Sequence, residues 1–544
     1  MTNSIAVYKC PDGTNFPVQW PSEEHEGHGW WWDQMHSPLP STPLSMEFSR
    51  DVRAGFMRAF DVSGTPTYFE TIEFNGYAYR RIAPFDDDPA VRSAIAMRDD
   101  AARTGRILEI WENDYRPEVE ALTRATLSTA REARSLRQLV EILDQVHAAR
   151  RRLGEIHMLA MGPANRAGER FVQFCVETFG EDGELTAAET MQGFTNKALE
   201  SGIALWELSR EAKARPNVAA VLAADRSNAR ERLLTVAGGR EFLALLDQFL
   251  DAYGLRSESF QDLSFPTWRE DPSFPLFLVN QYVNAPEEAN PITLHDQAIR
   301  RREERIGQVE AHFAGEPEKL RTFHSLAKTA QQRTVILEDH NFYIDQRGWS
   351  SARFPLMQIG RRLAEQGTID RNQDVFYLHE REIRKAAANP ALVLSSTVAQ
   401  RRKERDRWLR TVPPLKIGAG DIEADGQRDR FFGAIKEPSF ESGILRGVAA
   451  SKGVARGIAR VIPSLEEIER LSPGEILVTH ATSPPWTPLF AVAGAVVTEA
   501  GGILSHCAVV AREYQIPAVV GARGALQKIE DGMLITVDGT RGTV

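Results

Sequence analysis

Cysteine is scarce in this sequence, and the three that occur, Cys10, Cys175 and Cys507, lie far apart. Without paired or closely spaced cysteines, neither a disulfide framework nor a zinc site is expected, and a reducing compartment fits best. Long hydrophobic runs are also missing, because a run such as residues 489–497 is too short to cross a bilayer. The start, MTNSIAVYKCPDG, has no basic stretch followed by an apolar core. We therefore expect a cytoplasmic protein with no membrane partner.

Positive charge is not in excess either. The chain has 65 Lys and Arg against 75 Asp and Glu, which gives a formal net charge of -10. This is the wrong sign for a protein that must neutralise a phosphate backbone, so no nucleic-acid partner is expected. The 544 residues are 42% hydrophobic and 26% charged. That composition is typical of a globular protein, and the length predicts several domains.

Composition and hydrophobic pattern divide the chain into four parts. Residues 1–60 are dense in Trp, His and Pro, and because prolines remove backbone donors, we predict an irregular arm packed on a larger body by its aromatic rings. Residues 61–410 place apolar side chains three and four apart, which predicts an all-helical domain. Residues 411–443, rich in Pro, Gly and Asp, predict an interdomain linker. Residues 444–544 alternate β-branched and helical runs, which predicts an α/β domain.

The most informative stretch is TEAGGILSHCAVVAREYQIPAVVG, residues 498–521, where a Gly-Gly turn follows a buried strand and a helix opens near Ser505. Gly501 and Gly502 allow an anion to approach closely, Ser505 is suited to capping the helix, and a helix N-terminus favours negative charge. His506 lies at this point. A neutral imidazole there is suited to nucleophilic attack on a phosphoryl group. The alternative is a histidine that only hydrogen-bonds nearby backbone.

The same string resembles the phosphohistidine swivelling domain, of β/β/α type, of phosphoenolpyruvate-utilising enzymes. The resemblance covers the C-terminal domain and includes the Gly-Gly turn, Ser505, His506 and the run IPAVVG. It implies that His506 carries the phosphoryl group and that Gly501, Gly502 and Ser505 surround the phosphate. Ile503 and Leu504 replace the Arg-Thr pair of pyruvate-forming members, so a phosphate contact or regulatory modification at that point is not expected.

The body of the chain resembles rifampicin phosphotransferases and their relatives more loosely, at residues 38–44, 253–272 and 360–382. In that branch the helical domain binds the acceptor that receives the phosphate. The expected fold is therefore multidomain, with a large all-α acceptor-binding domain and a C-terminal α/β phosphohistidine swivelling domain. No segment resembles the ATP-grasp nucleotide domain, and there is no room for the phosphoenolpyruvate barrel, so we expect a second polypeptide with ATP-grasp chemistry.

That arrangement resembles two-component synthases that phosphorylate phenol or 4-methylphenol to an aryl phosphate. The resemblance implies that the partner binds ATP and Mg²⁺ and passes the β-phosphoryl group to His506, which leaves AMP and phosphate. The swivelling domain then carries phosphohistidine to a small hydroxyl compound, most simply a phenol. No metal site and no tightly bound cofactor is assigned to this chain. The alternatives are an antibiotic or another alcohol as acceptor, and a non-catalytic binding or regulatory protein.

Weaker candidates for the acceptor site lie elsewhere in the chain. The helical stretch LEDHNFYID, residues 337–345, clusters polar groups beside aromatic rings and predicts an aryl-alcohol pocket. In it, His340 is the candidate base, and Glu338, Asp339 and Asn341 are candidate substrate-binding residues. A solvated helix face or a buried hydrogen-bonded histidine is the alternative.

Arg256, after the turn YGLR, is predicted to hold the incoming phosphate, against the alternative of an ordinary surface arginine. Trp31, Asp33 and His36 of the N-terminal arm are predicted to roof the acceptor pocket. Aromatic packing alone is the alternative for the tryptophans of this arm.

Overall fold

A computed structural model describes residues 5–224, 228–259, 261–422, 433, 440–441, 443–503 and 505–544. It confirms the predicted fold class, since a large helical body is followed by a strand-rich C-terminal α/β domain. None of the described helices is both long and apolar enough to cross a membrane. The three cysteines are buried and free.

The N-terminal residues differ from the irregular arm predicted for them, because they form regular strands and helices. Their elements are β1 (Ile5–Lys9), β2 (Asn15–Gln19), α1 (Glu23–Gly27), β3 (Trp30–Trp32), α2 (Pro43–Val62), β4 (Thr67–Phe74) and β5 (Tyr77–Pro84). The prolines do not prevent this. Pro17 lies in the hairpin of β1 and β2, at a sheet edge, and Pro43 is the first residue of α2, where a missing donor costs little. The strands β4 and β5 also lie inside the region predicted to be all-helical.

A four-stranded sheet with strand order β4-β5-β3-β6 completes the N-terminal part, and its strands come from distant parts of the chain. Its last strand, β6 (Lys416–Ile417), comes from the predicted linker and pairs with β3. The hydroxyl of Tyr77 donates to the carbonyls of Trp408 and Thr411, which anchors the same segment. The first part of residues 411–443 is therefore fixed on this sheet. Residues 423–432, 434–439 and 442 of the predicted linker lie outside the described residues.

The helical body is built around one long helix. Its helices are α3 (Pro89–Arg103), α4 (Ile107–Ile110), α5 (Arg116–Glu132), α6 (Leu136–Glu141), α7 (Leu143–Phe179), α8 (Gly183–Thr190), α9 (Lys197–Lys213), α10 (Pro216–Ala223), α11 (Ala229–Leu233), α12 (Gly239–Tyr253), α13 (Ser273–Val283), α14 (Pro291–His312), α15 (Pro317–His340), α16 (Arg353–Glu365), α17 (Glu380–Ala388) and α18 (Ser395–Trp408). Two π-helical segments, Trp111–Tyr115 and Asn341–Gly348, and 3₁₀ segments at Gly180–Asp182, Glu287–Ala289 and Asn372–Tyr377 complete it. Helices α2 and α15 pack along α7.

The C-terminal domain holds a mainly parallel sheet. Its elements are β7 (Phe440–Glu441), β8 (Ile444–Leu445), β9 (Val448–Ser451), β10 (Val454–Val461), β11 (Ile476–Thr479), β12 (Ala495–Thr498), α19 (His506–Tyr514), β13 (Ala518–Val520), α20 (Ala525–Lys528) and β14 (Leu534–Asp538), with 3₁₀ segments at Leu465–Arg470 and Pro484–Ala491. The sheet order is β14-β10-β11-β12-β13-β9, and the strands from β10 to β13 run parallel. Strands β11 and β12 are buried along their whole length, as continuous apolar runs predict.

The C-terminal domain is docked on the helical body. One cluster of buried apolar side chains continues from α9, α12 and α13 into the domain, where Trp486 and Phe490 belong to it. Polar contacts add to this interface: the backbone N–H of Leu465 donates to the Glu258 carboxylate at 2.7 Å. Docking brings the N-terminal end of α19 against the body, which positions the site described next.

Candidate functional site

His506 is the first residue of α19, directly after the turn that leaves β12. Ser505 is extended and its hydroxyl accepts from the backbone N–H of Ala508, so Ser505 caps the helix as the sequence predicts. Gly501 has φ +113°, and a Cβ there would lie 2.9 Å from the Ser505 hydroxyl. Only glycine fits this turn, because any larger residue would be strained and would collide with the cap. Leu504 lies outside the described residues.

Two threonine hydroxyls hold the His506 ring. The Thr482 hydroxyl is 3.2 Å from Nδ1, and the Thr487 hydroxyl is 3.0 Å from Nε2. When Nδ1–H donates to Thr482, the lone pair lies on Nε2, and Thr487 marks the side that Nε2 faces. Burial lowers the pKa of His506 to about 3. The imidazole is therefore neutral at neutral pH, which is the nucleophilic form.

Thr487 also lines a small cavity between the two domains. The other lining residues are Ala198, Ser201, Gly202, Arg256, Glu338, Phe342, Gln346 and Tyr514. Thr487 thus contacts the Nε2 side of His506 and also lines the cavity that contains the buried cation Arg256 and the buried carboxyl group of Glu338.

Arg256 is a buried cation without a carboxylate partner among the described residues. It is 3% exposed and is surrounded by the rings of Tyr253, Trp268 and Phe342, at 5.2–5.7 Å. One guanidinium nitrogen donates to the Ser201 hydroxyl, whereas Nε has no acceptor in the part of the chain described. Burial lowers the pKa of Arg256 to about 10, so it stays charged at neutral pH. A desolvated charge is costly unless an anion pairs with it, so this place is suited to a phosphate.

Glu338 lies beside this cation and is 4% exposed. Its pKa is raised to about 8, first by burial and then by the nearby carboxyls of Glu513 and Asp339, while Arg256 and Arg333 act in the opposite direction. A carboxyl group with a pKa near the working pH is suited to take a proton from a hydroxyl group.

Glu338 also lines a second, larger cavity of about 450 Å³ between the two domains. Apolar lining residues such as Leu185, Met191 and Val509 alternate with the charged side chains of Glu184 and Arg512. This volume and mixed lining are typical of a small-molecule site. Glu338 is the residue shared by the cavity beside Thr487 and the larger one.

The other candidates of the stretch 337–345 do not join this site. His340 donates from Nδ1 to the Ile336 carbonyl at 2.8 Å and faces Asp345 and His157, so it lines neither cavity. Two residues along an α-helix are rotated by about 200°, which puts His340 opposite Glu338. The Asp339 carboxylate accepts from the backbone N–H of Lys197 at the start of α9, and the Asn341 amide donates to the Leu337 carbonyl of its own helix.

The predicted roof residues lie on another side of the C-terminal domain. Asp33 is buried and forms an ion pair with Arg80 at 2.7 Å and a hydrogen bond with His36; Arg80 and His36 lower its pKa against the effect of burial. Trp31 and Asp33 line a small cavity behind the Gly-Gly turn, next to Ala500. Trp31 and Asp33 thus pack near the Gly-Gly turn but do not line the cavity that contains Glu338.

Sequence reasoning missed Thr482, Thr487 and Tyr514. The stretch THATSPPWTPLF was recognised only as part of the overall resemblance, and its hydroxyl groups carried no local signal of their own. Thr482 and Thr487 lie far from His506 in the sequence, and they come close to it only because β11 and β12 pair in the sheet. Tyr514 lies on α19, eight residues after His506, and faces the small cavity.

Comparison with known proteins agrees with this class of site. Residues 471–542 match the family model "PEP-utilising enzyme, mobile domain", and residues 157–337 match "Rifampicin phosphotransferase fourth domain". The C-terminal domain is therefore similar to the mobile domain of PEP-utilising enzymes, and part of the helical body is similar to the fourth domain of rifampicin phosphotransferases. The family resemblance predicted from the sequence is confirmed in both domains.

Individual relatives extend the likeness along the chain. Chondramide synthase cmdD of Chondromyces crocatus is 33% identical over 98% of this chain and 14% of its own length. The uncharacterized phosphotransferase YvkC of Bacillus subtilis is 33% identical over 67% of this chain and 44% of its own length. Rifampicin phosphotransferase of Streptomyces sviceus is 30% identical over 66% of this chain and 41% of its own length. The chain thus spans less than half of each of these relatives.

Proposed function

We propose that this chain is the phosphoryl-carrying and acceptor-binding part of a phosphotransferase, with His506 as the carrier. The observation that carries the proposal is the neutral His506 imidazole, whose Nε2 contacts Thr487 at the edge of a cavity that contains Arg256. The likeness to proteins named phosphotransferases supports the same reaction class.

In the first step of the proposed reaction, the lone pair of Nε2 attacks a phosphorus atom of the donor. A P–N bond forms, the bond to the donor oxygen breaks, and the leaving group keeps that electron pair. The helix N-terminus and the Gly501 turn are suited to balance the negative charge of phosphohistidine. We propose, from the family resemblance, that the donor is ATP held with Mg²⁺ by an ATP-grasp partner subunit.

In the second step, an acceptor hydroxyl attacks the phosphorus while its proton passes to Glu338. The P–O bond forms, the P–N bond breaks, and Nε2 regains its electron pair. Arg256 pairs with the transferred phosphoryl group, because its buried charge has no carboxylate partner among the described residues. Glu338 replaces His340 as the proposed base, since Glu338 lines the cavity and His340 faces away from it.

We propose a small hydroxyl compound as the acceptor, with a phenol such as 4-methylphenol as the first candidate. The 450 Å³ cavity lies in the lower part of the range of ~300–1,000 Å³ for small-molecule sites, which favours a small acceptor. A phenol also needs little help from a base, because its pKa is near ~10. A larger alcohol of the antibiotic type is the second candidate, favoured by the relatives named rifampicin phosphotransferase.

The test phosphorylates His506 and then measures the transfer of the phosphoryl group to added hydroxyl compounds. The purified chain is phosphorylated with Mg-ATP and the candidate ATP-grasp protein, or with phosphoramidate where no partner is at hand. Phenol, 4-methylphenol, a set of aliphatic alcohols and rifampicin are then added, and aryl or alkyl phosphate is measured. We expect discharge by a phenol in the wild type and at least tenfold slower discharge in Glu338→Gln. Discharge by water alone, with no acceptor ester, contradicts the proposed function.

A further inference from the structure

A cluster of two histidines and one aspartate lies in the helical body, away from the His506 cavity. His157 of α7, His340 at the end of α15 and Asp345 of the π-helical segment each offer a ligand atom within 4.8 Å of the others. His340 and Asp345 are buried, and His157 is partly exposed, with 16% of its side chain accessible. Among the described residues this is the group of histidine and carboxylate side chains close enough to hold a metal ion.

The backbone around the cluster brings these side chains to one face. Asp345 follows His340 by five residues, and residues 341–348 form a π-helix, whose i→i+5 hydrogen bonding makes each turn one residue longer than an α-turn. Residues five apart therefore share a face here, which an α-helix does not allow. π-Helical segments are rare and are frequently found at functional sites.

Hydrogen bonds orient the nitrogen atoms. Nδ1 of His340 must donate its proton, because its partner at 2.8 Å is the Ile336 carbonyl, and the lone pair of Nε2 is left toward Asp345, 3.8 Å away. A metal-ligating histidine characteristically donates its other N–H to a backbone carbonyl in this way. The Nδ1 atom of His157 lies 2.9 Å from the other Asp345 oxygen.

The distances between the candidate ligand atoms are close to those expected around a bound metal ion. Zinc binds nitrogen and carboxylate oxygen at ~2.0–2.2 Å, which puts tetrahedral ligand atoms about 3.3 Å apart. The two histidine nitrogens lie 2.9 and 3.8 Å from the two different oxygens of Asp345, which is on either side of that value. Aromatic rings hold His157 in place, since it stacks on Trp349 at 5.5 Å and packs against Phe56 at 5.0 Å.

We propose that His157, His340 and Asp345 form a binding site for a divalent transition-metal ion of the zinc type, with solvent completing the coordination on the exposed side of His157. On binding, the Nδ1 proton of His157 moves to Nε2, so the ring remains neutral. The ion ties α7 to the π-helical segment that carries Phe342 and Gln346 into the small cavity. It thereby has a positioning role beneath the acceptor site and takes no part in the phosphoryl transfer.

Another histidine shows why the cluster is distinct. Both ring nitrogens of His147 donate to carboxylates, to Asp51 at 2.5 Å and to Glu380 at 2.6 Å, so no lone pair is free for a metal. These hydrogen bonds raise the pKa of His147 to about 9 against the effect of burial. A histidine between carboxylates is thus a charged structural group there, whereas His340 presents a free lone pair.

The test is direct metal binding to the full chain. After removal of metal with a chelator, Zn²⁺ is titrated in competition with a chromophoric chelator, and Co²⁺ is titrated with visible absorption as the readout. We expect one tight site in the wild type, at least tenfold weaker binding in Asp345→Asn, and unchanged binding in His324→Gln. Asparagine keeps an oxygen that accepts from His157, and His324 is an exposed histidine beside Glu310 that serves as the matched control.

His157→Gln, at the partly exposed ligand, is the second variant if Asp345→Asn does not fold. Zn²⁺ at a saturating concentration is expected to raise the melting temperature of the wild type and of His324→Gln and to leave the ligand variant unchanged. The proposal is overturned if the wild type binds no Zn²⁺ more tightly than the ligand variants. Equal Co²⁺ spectra in wild type and ligand variant overturn it as well. Neither result depends on the phosphotransferase proposal.

Discussion

At the scale of single residues, the site combines a neutral imidazole with a buried cation that forms no ion pair among the described residues. The two features are complementary: the low pKa of His506 keeps its lone pair available, and the buried guanidinium of Arg256 is suited to receive the charge of the phosphoryl group. Arg256 hydrogen-bonds the Ser201 hydroxyl and forms no ion pair within 4 Å among the described residues, and its carboxyl neighbour Glu338 has a raised pKa; the ring nitrogens of His506 contact the hydroxyls of Thr482 and Thr487. Fold stability therefore does not explain why Arg256 and His506 are buried.

Replacing Arg256 by methionine tests this interpretation. We expect the transfer to the acceptor to fall by about tenfold to a hundredfold, because charge-assisted hydrogen bonds contribute ~1.5–3 kcal/mol. The melting temperature is expected to stay or to rise, since a buried charge without a partner is removed. Arg353→Met is the matched control: Arg353 is buried too, but it pairs with Glu270 at 2.8 Å, and its loss is expected to lower the melting temperature. Equal destabilisation by both variants contradicts the anion-site interpretation.

Thr482 is positioned to set the tautomer of His506, because its hydroxyl lies 3.2 Å from Nδ1. We expect this hydroxyl to accept the Nδ1 proton, so that Thr482→Val leaves the proton free to occupy Nε2, the proposed nucleophilic atom. We expect His506 phosphorylation to slow by about two- to tenfold, the equivalent of ~0.5–1.5 kcal/mol for one hydrogen bond. The rate is measured by rapid quench of the labelled protein, with Thr235→Ala, at an exposed threonine of the body, as control. An unchanged rate in Thr482→Val shows that Thr482 does not set the tautomer.

At the scale of elements, the close contact of α2 with α7 joins two long helices of the body. A Cβ at Gly154 would lie 2.4 Å from the Val52 carbonyl, and one at Gly55 would lie 2.1 Å from the Arg151 carbonyl. Such distances to backbone atoms cannot be relieved by a side-chain rotation. The two helices can therefore approach this closely only while both positions are glycine.

Gly154→Ala is accordingly expected to lower the free energy of unfolding by about 1–3 kcal/mol, the usual cost of overpacking. Gly307→Ala, in the exposed part of α14 with nothing within 4 Å, is the control and is expected to stabilise by ~0.5–1 kcal/mol, because alanine has the higher helix propensity. Urea unfolding followed by circular dichroism measures both. If Gly154→Ala is as stable as Gly307→Ala, the helices do not pack as described.

Some parts of the site could be predicted from the sequence, whereas others depend on how the elements pack. Ser505, His506 and the Gly-Gly turn lie within six residues, so local rules for turns and caps were sufficient to predict them. Arg256 and Glu338 meet Thr487 only after α12, α15 and the C-terminal domain pack, and no local pattern reports such contacts. His340 was chosen as a base from its neighbours in sequence, but helical rotation puts it on the face opposite Glu338. Strand β3 was missed because it pairs with β6, far along the chain, whereas β1–β2 and β4–β5 are local hairpins that a closer reading of the sequence could have predicted.

At the scale of the whole molecule, the interface between the body and the C-terminal domain is sensitive to charge. Glu338 of the body and Glu513 of the C-terminal domain both become buried when the domains dock, which raises their pKa values to about 8 and about 7. The charged neighbours Arg256, Arg333 and Arg512 remain protonated in this range. Separation of the domains returns both carboxyl groups to water, where their pKa is near the ordinary value of ~4.3.

The docked state therefore binds more protons than the separated state between the ordinary carboxyl pKa of ~4.3 and the raised values of about 7 and about 8, and docking weakens as the pH rises across that window. We expect the separated population to grow between about pH 5 and pH 8, by up to about tenfold per pH unit for each carboxyl group, and to change little above about pH 8. Fluorescence energy transfer between dyes on the two domains measures this. Glu513→Gln is expected to flatten the pH dependence, and the exposed Glu530→Gln to leave it unchanged. A pH-independent transfer efficiency in the wild type contradicts this account.

The central claim is that His506 carries the phosphoryl group, and phosphorylation of the protein itself is its most direct test. The wild type and His506→Ala are incubated with labelled Mg-ATP and the candidate ATP-grasp partner, and in parallel with phosphoramidate. We predict stoichiometric label on the wild type that is stable in alkali and labile in acid, and none on His506→Ala beyond the background of exposed histidines. Equal label on both proteins, or no label on the wild type with either donor, contradicts the account.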